Sequence, residues 1–266
     1  MTGEGTSADL VLGRPLLWQG AALARAAGTP APRRARRRPA APLRRVRVVF
    51  RGWSRVSGRI TVVETGRERR LVMGGEVLSA FPLDGDWSGL RREYWWQALD
   101  GVSLPRHPTA LLVGLGGGTQ VHLLHQVARP RLVTVVERDP IVLRVALEWF
   151  GLDGLGPFEF VVGDAAVVAP ALARAGRRFD FVMEDAAYGD EGTVSLPLAR
   201  ALVPLVAPAG SLVVNRHRRG DARRLAALLR PRFESVQVRR VRREGENVLI
   251  RATGPRGPRQ ARGSGL

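Results

Sequence analysis

Residues 110–119 read Ala-Leu-Leu-Val-Gly-Leu-Gly-Gly-Gly-Thr, and this stretch decides the fold. Four apolar residues in a row suit a strand buried on both faces, and four glycines in the next five positions make a tight turn. A helix-length segment over 119–128 follows at once. Backbone approaches a ligand closely only where no Cβ intervenes, and a helix N-terminus offers free N–H groups with partial positive charge. A glycine cluster alone is an ordinary βα turn. Set between strand and helix, it becomes a candidate for ligand contact.

The same rhythm continues downstream. Strand-like runs at 132–137, 158–162, 179–184 and 211–215 alternate with helix-length segments at 140–149, 165–175, 193–206 and 220–230. Strands apolar on both faces, alternating with helices, form a parallel sheet covered on both sides. Residues 233–240 and 246–252 follow one another without a helix, which predicts a closing antiparallel hairpin. Upstream, β-type runs from 46, at 59–64, 69–73 and 76–80 are separated by the turn signals Thr-Gly-Arg-Glu and Gly74-Gly75. They predict a small antiparallel sheet, joined to the rest through a helix over 88–99. The fold class expected is α/β: a class I methyltransferase-like (Rossmann-type), mostly parallel sheet with a terminal antiparallel hairpin, preceded by a small antiparallel β-domain. The boundaries expected are 1–45 for an Arg/Pro/Ala-rich disordered segment, 46–104 for the β-domain and connecting helix, 105–252 for the cofactor-binding domain and 253–266 for a flexible tail.

Composition narrows the classes of function. The chain has 266 residues and no cysteine, so disulfides, thiolate metal sites and cysteine nucleophiles are excluded. No apolar run approaches the roughly 20 residues needed to span a bilayer, and no signal peptide is evident, which points to a cytoplasmic protein. The net charge of +18 resides at the two ends: residues 1–45 carry nine Arg against two acids, and 216–266 carry fifteen against four. Residues 46–215 hold eighteen of each sign. All 42 basic residues are Arg, a bias that looks genomic rather than selected for phosphate contacts. Basic ends bind polyanions through counterion release, yet nucleic-acid binding is not expected as the main function.

Acids stand where the strands leave the core. Glu137 lies twenty-three residues after Gly114, at the end of the second strand, where Rossmann-type sites place a carboxylate on ribose hydroxyls. Asp139, before Pro140, is a helix cap. Asp164 ends the third strand and suits either a cap or an adenine edge. Asp185 follows the fourth strand at the topological switch point and is the candidate general base. His122 and His125 lack partners that would complete a metal set, so no metal is expected. The run Tyr94-Trp95-Trp96 reads as core between the two sheets.

Taken in order, the β-domain and the runs VGLGGGT, VVERDP, VVGDA, FDFVMEDA and PAGSLVVN resemble the spermidine synthase (polyamine aminopropyltransferase) family over about residues 59–252, closest to its short, divergent bacterial members. That family binds decarboxylated S-adenosylmethionine and transfers its aminopropyl group to an amine. The resemblance implies that Gly114, Gly116 and Gly118 line the cofactor, that Glu137 holds the ribose and Asp164 the adenine, and that Asp185 takes the proton from the attacking amine. It also implies a substrate-side tyrosine at Tyr94 and a homodimer. Two expected acids are missing: Gly117 stands where the family's loop carries an aspartate that helps hold the cofactor's amine end, and Tyr188 replaces the second aspartate of the gate loop, with Asp190 as a displaced substitute.

The chemistry implied is in-line displacement at a carbon on a sulfonium, with a small-molecule amine or other nucleophile as acceptor. S-adenosylmethionine and its decarboxylated form serve this account alike, so a methyltransferase is the alternative. A catalytically silent cofactor-binding protein is the further one.

Overall fold

The computed structural model describes residues 46–186, 195–216, 221–243 and 245–256. The segment 1–45, expected to be disordered, and the tail from 257 lie outside the described residues. Four antiparallel strands come first: β1 (Arg47–Ser54), β2 (Gly58–Thr65), β3 (Glu68–Met73) and β4 (Glu76–Pro82), adjacent in that order. Strand alternation turns Ile60, Val62 and Leu71 to one face, where they pack with Val142, Val145 and Phe150. Each such side chain contributes about 1.5–3 kcal/mol on burial, enough to hold the small sheet on the large domain.

The connection differs from the single helix expected over 88–99. A 3-10 turn, Trp87–Arg92, precedes α1 (Tyr94–Leu99). Between them Glu93 is extended (φ −82°, ψ 156°), which ends one element and starts the next.

The large domain alternates as the sequence suggests: β5 (Thr109–Val113), α2 (Thr119–Ala128), β6 (Leu132–Glu137), α3 (Pro140–Phe150), β7 (Phe158–Val162), α4 (Ala165–Arg174), β8 (Phe179–Glu184), α5 (Ser195–Leu202), β9 (Val206–Arg216) and α6 (Ala222–Leu229). The closing hairpin is β10 (Phe233–Arg243) and β11 (Gly245–Pro255). Across the sheet the order is β10-β11-β9-β8-β5-β6-β7, with β5 to β9 parallel and β11 antiparallel to both its neighbours. Consecutive strand residues serve opposite layers: Leu111 and Val182 pack in one core, Leu112 and Met183 in the other. β9 begins at Val206 rather than 211, because Val206 already pairs with Phe179 ahead of a bulge. β11 runs to Pro255, so residues 253–255 of the expected tail are strand. No described helix is long and apolar enough to cross a membrane.

The chain runs from β5 outward through β6 and β7, then returns to β8 on the other side of β5. That reversal opens a crevice at the carboxyl ends of β5 and β8, where open α/β sheets bind ligands.

Candidate active site

Backbone hydrogen bonds fix how four strand ends meet. Asp185 N donates to Val113 O at 2.8 Å, Gly114 N to Val136 O at 2.9 Å and Gly163 N to Glu137 O at 3.0 Å. The ladders thus continue one residue past the strands and set Asp185, Gly114, Glu137 and the Gly163-Asp164 pair side by side. The sequence-derived candidates come together here, apart from Tyr188 and Asp190, which lie outside the described residues.

The glycine loop turns sharply away from the sheet. At Gly114 φ is +89°, and a Cβ there would lie 2.7 Å from the carbonyl oxygen of Asp185. Gly116 and Gly118 also have positive φ. The small sheet braces this loop from behind, through two residues the sequence reading did not single out. Ser79 Oγ accepts from Gly117 N at 2.6 Å, and Thr119 Oγ1 accepts from Ala80 N at 3.0 Å while donating to Ala80 O at 2.9 Å. Both side chains are buried. Gly117 faces Phe150: a Cβ at 117 would lie 2.9 Å from that ring.

Glu137 is held against the loop. Its Oε2 accepts from Leu115 N at 3.0 Å and its Oε1 from Asp139 N at 2.9 Å. Burial pushes its carboxyl above the usual range, while these two amides pull it back. A carboxylate offers about four acceptor sites, so capacity remains for hydroxyl donors such as those of a ribose. Asp139 caps α3 through Ile141 N, and Asp164 caps α4 through Ala166 N at 2.7 Å. Asp164 is exposed beside Gly163, so the cap and an adenine contact are compatible.

Asp185 is the best-organised acid in the crevice. Tyr94 Oη donates to its Oδ2 at 2.9 Å and Asn215 Nδ2 to its Oδ1 at 2.8 Å. Burial pushes the carboxyl up to about 6 against the pull of both donors. The Tyr94 phenol is raised well above its ordinary range, by burial and then by the charge of Asp185, so it remains a donor. Trp95 is core, whereas Tyr94, the first residue of α1, reaches across to the crevice. Asn215 was missed in the sequence, where it shows only as a polar end to an apolar strand. Its NH2 must face the carboxylate, which fixes its Oδ1, a buried atom with no partner.

Behind Asp185 lies an ion network. Arg216 bonds both the fully buried Glu184 and Asp221. Burial pushes Glu184 up to about 7, with Arg216 pulling the other way. The histidines pack: His122 stacks on Trp87, its Nε2 lies 2.7 Å from Phe150 O, and burial pushes both imidazoles down. Among the described residues no group of three metal-ligating side chains occurs. A cavity of about 300 Å³ lies under the β1–β2 turn, lined by Trp53, Ser54, Asp139 and Ile141 among others; Gly114, Glu137 and Asp185 do not line it.

The architecture is shared with a solved spermidine synthase bound to the transition state analogue AdoDATO, at a TM-score of 0.62 and 15% identity over 79% of this chain and 75% of that one. The fold is class I methyltransferase-like. Within that fold, sequence relatives fall on two sides. The zebrafish (Danio rerio) eEF1A lysine and N-terminal methyltransferase is 30% identical over 165 residues, 57% of this chain and 24% of that protein. The polyamine aminopropyltransferase of Vibrio vulnificus (strain CMCP6) is 27% identical over 114 residues, 42% of this chain and 38% of that protein. The chain therefore spans well under half the length of either relative. No family model matches it.

Proposed function

We propose that this chain is an S-adenosylmethionine-dependent methyltransferase whose acceptor is an amine. The observation that carries the reading is Asp185, a half-buried carboxyl pushed up to about 6 and held between two neutral donors at the strand end beside the glycine loop. The donor supplies a methyl group on a positively charged sulfur that departs as a neutral thioether, so no acid is needed on that side. Glu137 takes the ribose hydroxyls, Asp164 the adenine edge, and Gly114, Gly116 and Gly118 keep the loop open to close approach. An aliphatic amine, with a pKa of about 10.4, is protonated near neutrality and has no lone pair to attack with. Asp185 accepts that proton, a contribution of typically about 10²–10⁴-fold.

Methyl is preferred to aminopropyl because of Gly117. The resembling family places an acid there for the donor's ammonium; here Phe150 fills the space a side chain would need. S-adenosylmethionine carries a carboxylate beside its own ammonium, whereas the decarboxylated donor does not, and a buried ammonium without a carboxylate is strongly disfavoured. The zebrafish relative, a lysine and N-terminal methyltransferase, supports this choice. One observation favours aminopropyl transfer as a second reading: Tyr94 and Asp185, the pair that the resemblance assigns to the substrate side, are hydrogen-bonded.

Mass spectrometry of the spent donor separates the two. Methyl transfer to an amine releases S-adenosylhomocysteine; aminopropyl transfer from the decarboxylated donor releases methylthioadenosine. Asp185→Asn should abolish turnover and spare donor binding. Unchanged turnover in that variant removes Asp185 from the base role.

A further inference from the structure

Arg is not spread evenly along this chain. A genomic preference explains why Arg replaces Lys, but not why fifteen Arg face only four acids over 216–266 when the preceding 170 residues balance at eighteen each. Topology lays the described part of that segment along one side of the sheet, with β10 as its edge strand and α6 packed beside it. The registers align Arg240 with Val248 and Val248 with Arg216, the neighbour of Asn215 and so of Asp185. Arg240 therefore stands on the rank of the sheet where the crevice opens, three strand spacings from β8, or roughly 14 Å.

Arg240 also lies on the α6 face. It sits opposite Val248, which packs with Leu225 of α6, and directly opposed residues share a face. Arg223 and Arg224 occupy the first turn of α6, where the macrodipole disfavours cations. The acid that precedes them, Asp221, makes no cap bond and is engaged by Arg216. Arg223, Arg224 and Arg240 are all exposed, and none has an acid partner among the described residues. Three guanidinium groups unpaired among the described residues, two of them where helix stability argues against them, form a basic ridge on the α6 face.

We propose that this ridge docks an acidic stretch of the polypeptide that presents its amine to Asp185. The ridge stands on charge and register alone; the choice of a polypeptide over a nucleic acid rests on the amine-acceptor reading. A nucleobase amine has no proton that a carboxylate must remove before attack, whereas an aliphatic amine does. An extended chain advances about 3.3 Å per residue, so roughly 14 Å places the acids about four residues from the acceptor amine.

The test is fluorescence anisotropy on the full chain with labelled oligoglutamate and an oligothymidylate of equal length. The triple variant Arg223→Glu, Arg224→Glu, Arg240→Glu is compared with the parent, so the contribution of the remaining arginines, common to both, cancels. Oligoglutamate affinity should fall about tenfold, with a shallower salt dependence. The melting temperature should hold or rise, since Glu suits the first turn of a helix. A loss of about fivefold or more supports the proposal. A smaller loss, or no oligoglutamate binding by the parent, overturns it. Tighter binding of oligothymidylate with the same sensitivity assigns the ridge to nucleic acid and overturns it equally. S-adenosylhomocysteine binding should be unchanged in the variant, so failure of the ridge is distinct from failure of the donor site.

Discussion

Arg216→Met should destabilise the chain by about 3–5 kcal/mol at pH 8, the usual effect of removing one partner from a buried pair. Glu184 has no exposure, and Arg216 is the cation bonded to it. Deprived of Arg216, Glu184 is left with burial pushing its carboxyl upward and loses the main effect that opposed it. A carboxyl raised in the folded state favours folding at low pH and loses that contribution as pH rises through its folded value. In the parent this loss runs from the ordinary carboxylate range to about 7, and in the variant it continues above 7. The gap between the two proteins therefore widens above pH 7, by up to about 1.4 kcal/mol for the unit from 7 to 8. Urea unfolding followed by tryptophan fluorescence at pH 5 and pH 8 measures it. The double variant Glu184→Leu, Arg216→Met should recover most of the loss, because a buried pair replaced by apolar side chains is often near neutral. Equal destabilisation at both pH values, or no recovery in the double variant, would refute the reasoning.

Tyr94→Phe removes a donor that lowers the Asp185 carboxyl, so its pKa should rise beyond about 6. The acid limb of the pH–rate profile should then move to higher pH; a limb that stays in place contradicts Asp185 as the base. Gly114→Ala forces a side chain into φ +89° and to within 2.7 Å of Asp185 O. It should cost about 1–3 kcal/mol from backbone strain alone, read as a lower melting temperature, and an unchanged melt would show that the loop tolerates a Cβ.

The large domain was legible because a parallel sheet leaves an unmistakable trace: strands apolar on both faces, each followed by a helix. Acids ending those strands at Glu137 and Asp185 were visible for the same reason, as charges where the core stops. Other parts left no trace in the local pattern. Tyr94 and Asp185 are 91 positions apart, and nothing local ties a tyrosine in an aromatic run to a distant acid. Arg216 is buried, yet in sequence it is one of 42 arginines. Ser79 and Thr119 are small polar residues whose importance arises only when two sheets meet. The helix expected over 88–99 breaks at Glu93, a residue whose composition gives no warning.

One crevice at four strand ends should accept an S-adenosyl group, and calorimetric titration of the full chain with S-adenosylhomocysteine tests that directly. Saturable heat at one site per chain is expected. Glu137→Gln, which loses the charge and one acceptor, should weaken binding by about tenfold or more, in keeping with roughly 1.5–3 kcal/mol for a hydrogen bond to a charged group. Absence of saturable heat from the parent, or an equal affinity in the variant, would contradict the claim.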